Sequence, residues 1–130
     1  MTRIAPIAAD GVHDSPRYAQ AYRVEGIASL VVLSGQVSCD ADGSNIHAGD
    51  MRAQATAVLT QVKSLVEAGG SSLDRIIKMS VFLTDARNRP IFNEVRDTFF
   101  EGRLPPLSVI QVAGLMHQDW LIEIDVIAVA

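Results

Sequence analysis

The apolar residues of this chain switch between helical and strand spacing along its length. Ala55, Val58, Leu59, Val62, Leu65 and Val66 recur at the i, i+3, i+4, i+7 spacing of one helix face. Asp50 stands in front of them as an N-cap, and Gly69-Gly70 ends the helix. The spacing predicts a second helix from about Asn88, in which Phe92, Val95 and Phe99 share a face. Pro90 is tolerated in its first turn, and Gly102 closes it. Between the helices, Ser71 and Asp74 have capping-box spacing and predict a single turn. Strands are expected over Tyr18–Glu25 and Ser29–Gly35, separated by Gly26, and over Arg75–Thr84, Leu107–Ala113 and Trp120–Val129. Leu30-Val31-Val32-Leu33 is apolar on both faces, the pattern of a strand covered on both sides. Asp40–Gly49 reads as a loop.

The resulting order, ββαβαββ, predicts an α+β domain: hairpins at both ends, one mixed sheet and both helices on one face. The other face lacks cover. It is expected to be apolar where Leu30, Val32, Met79 or Val81 project, and an open apolar face in so small a chain predicts self-association.

Composition narrows the function. The chain has 130 residues, one domain over 1–130, long enough to bury roughly two thirds of its unfolded surface without a staple. The single cysteine, Cys39, cannot form an internal disulfide, which fits a reducing compartment. Formal charge is −4, and the eleven Lys and Arg residues are scattered. That distribution argues against a nucleic-acid surface, which needs clustered cations. One Trp, two Tyr and four Phe are too few for a base-stacking platform. The uncharged runs Gly26–Cys39 and Leu104–Gln118 are shorter than a membrane span, and the apolar run in Met1–Asp10 is shorter than a signal-peptide core. A cytoplasmic protein without a membrane partner is expected.

Candidate chemistry is sparse. His13, His47 and His117 lack metal-ligand spacing, so no metal site is expected. Nothing beside Cys39 would lower its pKa, and it reads as structural. Ser34-Gly35-Gln36 ends a buried strand, where glycine either allows a close approach of backbone and ligand or simply makes a turn. Glu123 alternates with Ile122, Ile124 and Val126 and shares a strand face with Asp125. Such a carboxylate is either solvated at an edge or partly buried. In the second case it needs a partner and can handle a water.

Taken in order, several short motifs resemble the Rid family of reactive-intermediate deaminases, the YjgF-like proteins. They are Tyr18-Ala19-Gln20-Ala21, Leu33-Ser34-Gly35-Gln36, Gly49-Asp50, Val81-Phe82-Leu83-Thr84-Asp85, Phe92-Asn93-Glu94-Val95 with Phe99-Phe100, Pro105-Pro106 and Ile122-Glu123-Ile124. Their order and spacing over nearly the whole chain carry the resemblance. It implies a chorismate-mutase-like fold and a homotrimer with small-molecule pockets between subunits. It also implies hydrolysis of enamines or imines to a keto acid and ammonia, with no metal or organic cofactor. The pocket positions it implies are Tyr18, Ser34, Gly35, Asn93, Leu107, Val109 and Glu123, the last positioning the attacking water.

One position departs from the family pattern. Leu107 stands where active members carry an arginine that clamps the substrate carboxylate. Losing such a contact costs about 1.5–3 kcal/mol per bond to a charged group. Three readings follow: a hydrolase of a different enamine or imine, a non-catalytic metabolite-binding homotrimer, or a site in which another arginine, Arg103 or Arg17, replaces the missing one. Whether Met116 or Trp120 enters the pocket stays open at this stage.

Overall fold

The computed structural model describes all 130 residues. Six strands and two helices follow in the order β1 (Arg3–Ile7), β2 (Ala21–Glu25), β3 (Leu30–Val32), α1 (Met51–Ala68), β4 (Ile76–Leu83), α2 (Arg89–Phe99), β5 (Leu107–Gln111) and β6 (Ile122–Val129). The five expected strands and both helices are present in the expected order, and β1 is added in front of them. Pro6 and the mostly exposed pattern of Arg3–Ile7 hide that strand, because it shows no alternation. It pairs only with β2, as a separate two-stranded ribbon.

The main sheet has the order β3-β6-β4-β5. It is mixed: β4 runs parallel to β5 (Val81 opposite Val109), while β6 runs antiparallel to β4 (Val81 opposite Ile124) and to β3 (Val31 opposite Ala128). The expected hairpins do not form. Strand β2 pairs with β1 rather than β3, and β4 separates β5 from β6. The two longest strands, β4 and β6, each bury a full apolar face and therefore take the centre of the sheet.

Both helices cover one face of the sheet. Val58, Leu59 and Val62 of α1 and Phe92 and Val95 of α2 share one core with Met79, Val81, Ile122 and Ile124. Burial of each such side chain stabilises the fold by about 1.5–3 kcal/mol. Asp50 caps α1 by accepting from Ala53 N at 3.0 Å. Leu65, expected on the buried face, is 42 % exposed. At the other end of α1, a Cβ on Gly69 would stand 2.7 Å from Val31 Cγ2, so only glycine lets β3 pack against the helix terminus. The single turn after α1 spans Leu73–Arg75 with Ser72 as its cap, while Ser71 Oγ donates to Val129 O instead.

The uncovered face differs from the expected one in composition. Met79 and Val81 are fully buried beneath the helices, because the register of β4 turns them inward. Leu30 (50 % exposed) and Val32 (68 %) do project on the open side, so β3 is covered on one side only. No helix is long and apolar enough to cross a membrane.

Candidate functional site

A cleft of about 270 Å³ opens between α2, the edge strand β5 and the segment before β2. Tyr18, Asn93, Leu107 and Val109 line it. Backbone pairing sets the segment that carries Tyr18: Leu104 N donates to Arg17 O at 2.7 Å, and Ala19 N donates to Leu104 O at 2.9 Å. Leu107 and Val109 pair with Met79 and Val81 on β4, so their side chains lie on the helix-covered side and pack against the core at its margin.

The rest of the lining is Gln20, Leu104 and three arginines. Arg17, Arg89 and Arg96 all face this cleft, and no carboxylate does. Arg89, Asn93 and Arg96 stand at i, i+4 and i+7 of α2 and therefore share a face. Arg96 is 8 % exposed, and its guanidinium donates to Asn93 Oδ1 at 3.0 Å and to Asp97 Oδ1 at 2.9 Å while lying 5.9 Å above the Phe92 ring. That bond uses the Asn93 carbonyl oxygen and leaves its amide nitrogen with no acceptor in the chain. Arg89 and Arg96 are pocket residues that the sequence reading missed. The signal was there in their spacing, but Phe92, Val95 and Phe99 drew attention to the opposite, apolar face.

Arg103 does not line this cleft. Its Nε donates to Ser15 O at 3.0 Å and Tyr18 O at 3.2 Å, and its guanidinium pairs with Asp14. Of the two arginines considered as replacements at position 107, Arg17 is in place. Arg103 instead braces the backbone behind Tyr18.

Ser34, Gly35 and Glu123 lie elsewhere. Glu123 pairs with Phe82 in the β4–β6 register, on the sheet face opposite Ile122 and Ile124. The chain after β3 continues along β6, with Gln36 N donating to Ile124 O at 2.7 Å and Ile124 N donating to Gln36 O at 3.1 Å. This lays the Gly35 backbone directly on the Glu123 side chain: a Cβ on Gly35 would stand 2.7 Å from Glu123 Cδ. Glu123 is half-buried and belongs to no ion pair of the chain. Within one chain, then, the seven expected positions form two half-sites on opposite faces of the sheet.

Neither of the remaining candidates lines the cleft. Met116 is 94 % exposed, and Trp120 Nε1 donates to Asn45 Oδ1 at 2.9 Å with its ring tilted against His117. No group of three or more His, Cys, Asp or Glu side chains is arranged to hold a metal ion.

A family model described as endoribonuclease L-PSP, the YjgF/RidA group, matches residues 12–130. The chain belongs to this YjgF/Rid family. Among the relatives it matches, protein DfrA of Myxococcus xanthus is 33 % identical over 113 residues, covering 87 % of this chain and 85 % of that protein. The crystal structure of RidA from an Antarctic Psychrobacter superposes with a TM-score of 0.73 at 30 % identity, covering 97 % of this chain and 94 % of the other. A Rid protein of unknown function from Yersinia pestis, YyfB, gives a TM-score of 0.85 at 19 % identity, covering 98 % of each chain, and shows the shared fold. The Rid match begins after β1, so the β1 strand of the outlying ribbon lies outside it.

Proposed function

We propose that this Rid protein is an imine or enamine hydrolase that works as a homotrimer, with each active site completed by two neighbouring subunits. The observation that carries the reading is the splitting of the expected site into two half-sites. One half offers a walled cleft with Tyr18 and Asn93. The other offers an unpaired carboxylate, Glu123, resting on the Gly35 backbone. Each half lacks what the other has, and an apolar patch at Leu30 and Val32 supplies a reason for copies to associate.

In this reading Glu123 accepts a proton from water while the water oxygen bonds to the imine carbon, and the C=N electron pair moves to nitrogen, which is protonated. The carbinolamine then loses ammonia as its C–N bond breaks and the carbonyl forms. The sequence is redox-neutral and calls for no organic cofactor. A nuclease activity does not enter the reading, because a formal charge of −4 opposes extended contact with RNA.

Leu107 favours a second reading, a metabolite-binding homotrimer without catalysis. It also leads us to expect little or no hydrolysis of simple 2-aminoacrylate-type imines. The decisive experiment follows ammonia release from a panel of freshly generated charged and uncharged imines, with Glu123→Gln alongside. Turnover by the unaltered protein and a loss of about 10²–10⁴-fold in the variant are expected. Full activity in Glu123→Gln, or no turnover of any imine above buffer, would overturn the hydrolase. Native mass measurement checks the assembly: a stable monomer of 14.0 kDa rules out shared sites.

A further inference from the structure

We infer that the cleft beside Leu107 binds a small dianion carrying two separate carboxylates, held by Arg17 and Arg89. The inference rests on reading that cleft as the ligand site. Three guanidiniums and no carboxylate line a space of about 270 Å³, in a chain whose formal charge is −4. The three are not equivalent. Arg96 is buried, and Asp97 at 2.9 Å balances its charge. Arg17 and Arg89 are exposed and belong to no ion pair of the chain. Like charges gathered with no counter-charge from their own chain repel one another, and a neighbouring subunit's Glu123 offsets only one of them, so a ligand that supplies further negative charge is favoured.

The placement sets the shape of that ligand. Arg17 stands on the segment before β2, and Arg89 stands in the first turn of α2. Because they belong to different elements, they meet negative charge at different points of the cleft. A planar guanidinium matches a carboxylate with two parallel bonds. Leu107 and Val109 then pack against the carbon chain between the two carboxylates, and the Asn93 amide donates to an oxygen of the ligand. Leucine at position 107 is thus part of a changed specificity. In this chain the cationic groups of the cleft stand on α2 and the Tyr18 segment rather than on β5, and the ligand they suit carries a second anionic group.

Titration calorimetry with three probes tests this on the intact assembly. The probes are 2-oxoglutarate, 2-oxopentanoate (the same chain length with one carboxylate) and inorganic phosphate. The dissociation constant for 2-oxoglutarate is expected to be lower than that for 2-oxopentanoate by about tenfold or more, as charge-assisted contacts allow. Arg17→Gln and Arg89→Gln should each reduce that ratio, and the double variant should abolish it without changing the oligomeric mass. Equal affinity for the two keto acids, or phosphate binding as tight as that of 2-oxoglutarate, overturns the inference. So does dissociation of the oligomer by either substitution, which would assign these arginines to a subunit contact. The readout is binding, so its failure is separable from that of the hydrolase. A dianion preference without turnover of any imine sinks the hydrolase alone, and turnover without the preference sinks this inference alone.

Discussion

Gly35 and Glu123 compete for the same space, since a Cβ on Gly35 would stand 2.7 Å from Glu123 Cδ. The glycine therefore sets where the carboxylate rests. Gly35→Ala pushes Glu123 aside without cutting into the core, because position 35 is exposed and the displaced group is the end of a flexible side chain. Imine hydrolysis should fall by about 10²-fold, the size expected for a misplacement of about 1 Å. Thermal unfolding should change little. A variant with unaltered kcat would show that the close approach plays no part in placing the carboxylate.

Gln54 is fully buried among apolar residues of α1 and ties three backbone groups together. Its Nε2 donates to His47 O at 3.0 Å and to Asp119 O at 2.7 Å, and its Oε1 accepts from Leu121 N at 2.9 Å. Gln54→Leu keeps the side-chain size but strips Asp119 O and Leu121 N of this partner, while His47 O keeps its bond from Asp50 N at 3.0 Å. At about 1–3 kcal/mol for each of the two groups left unsatisfied, the expected loss is about 2 kcal/mol or more. Urea unfolding should show a lower midpoint at unchanged slope. A midpoint equal to that of the parent protein would mean that water replaces all three bonds.

Asp85 carries the one strongly displaced carboxyl. The Arg87 side chain and backbone N–H bonded to it hold its pKa down, at about 2 instead of 3.8. Because the folded value is depressed, the contribution is present above the ordinary carboxylate pKa and is lost as pH falls through about 2. The pair lies at the surface, so its effect on stability is small. Carbon-detected NMR titration should find the Asp85 midpoint near 2, and Arg87→Ala should return it toward 3.8. An unmoved midpoint in the variant would refute the pairing with Arg87 as the cause.

The sequence alone determined the helices, the main strands and the family. Each rests on local spacing: α1 on its apolar period and the Asp50 cap, β6 on the alternation of Ile122, Ile124 and Val126 with Glu123 and Asp125. Such periods are set by backbone geometry, so they survive in the bare sequence. Which strands become neighbours was decided by long-range burial. The two fully buried faces of β4 and β6 moved to the centre and dissolved both expected hairpins, and the register of β4 turned Met79 and Val81 inward. Gln54 sat inside an apolar helix face with nothing local to show its three distant partners. The arginines followed the same rule. Position 107 could be read as leucine in the sequence, but only the packing of α2 beside β5 and the Tyr18 segment gathered Arg17, Arg89 and Arg96 into one cleft and turned Arg103 away from it. A side chain's identity is local information, whereas its neighbours depend on contacts between segments far apart in the chain, and those exist only once the core has closed.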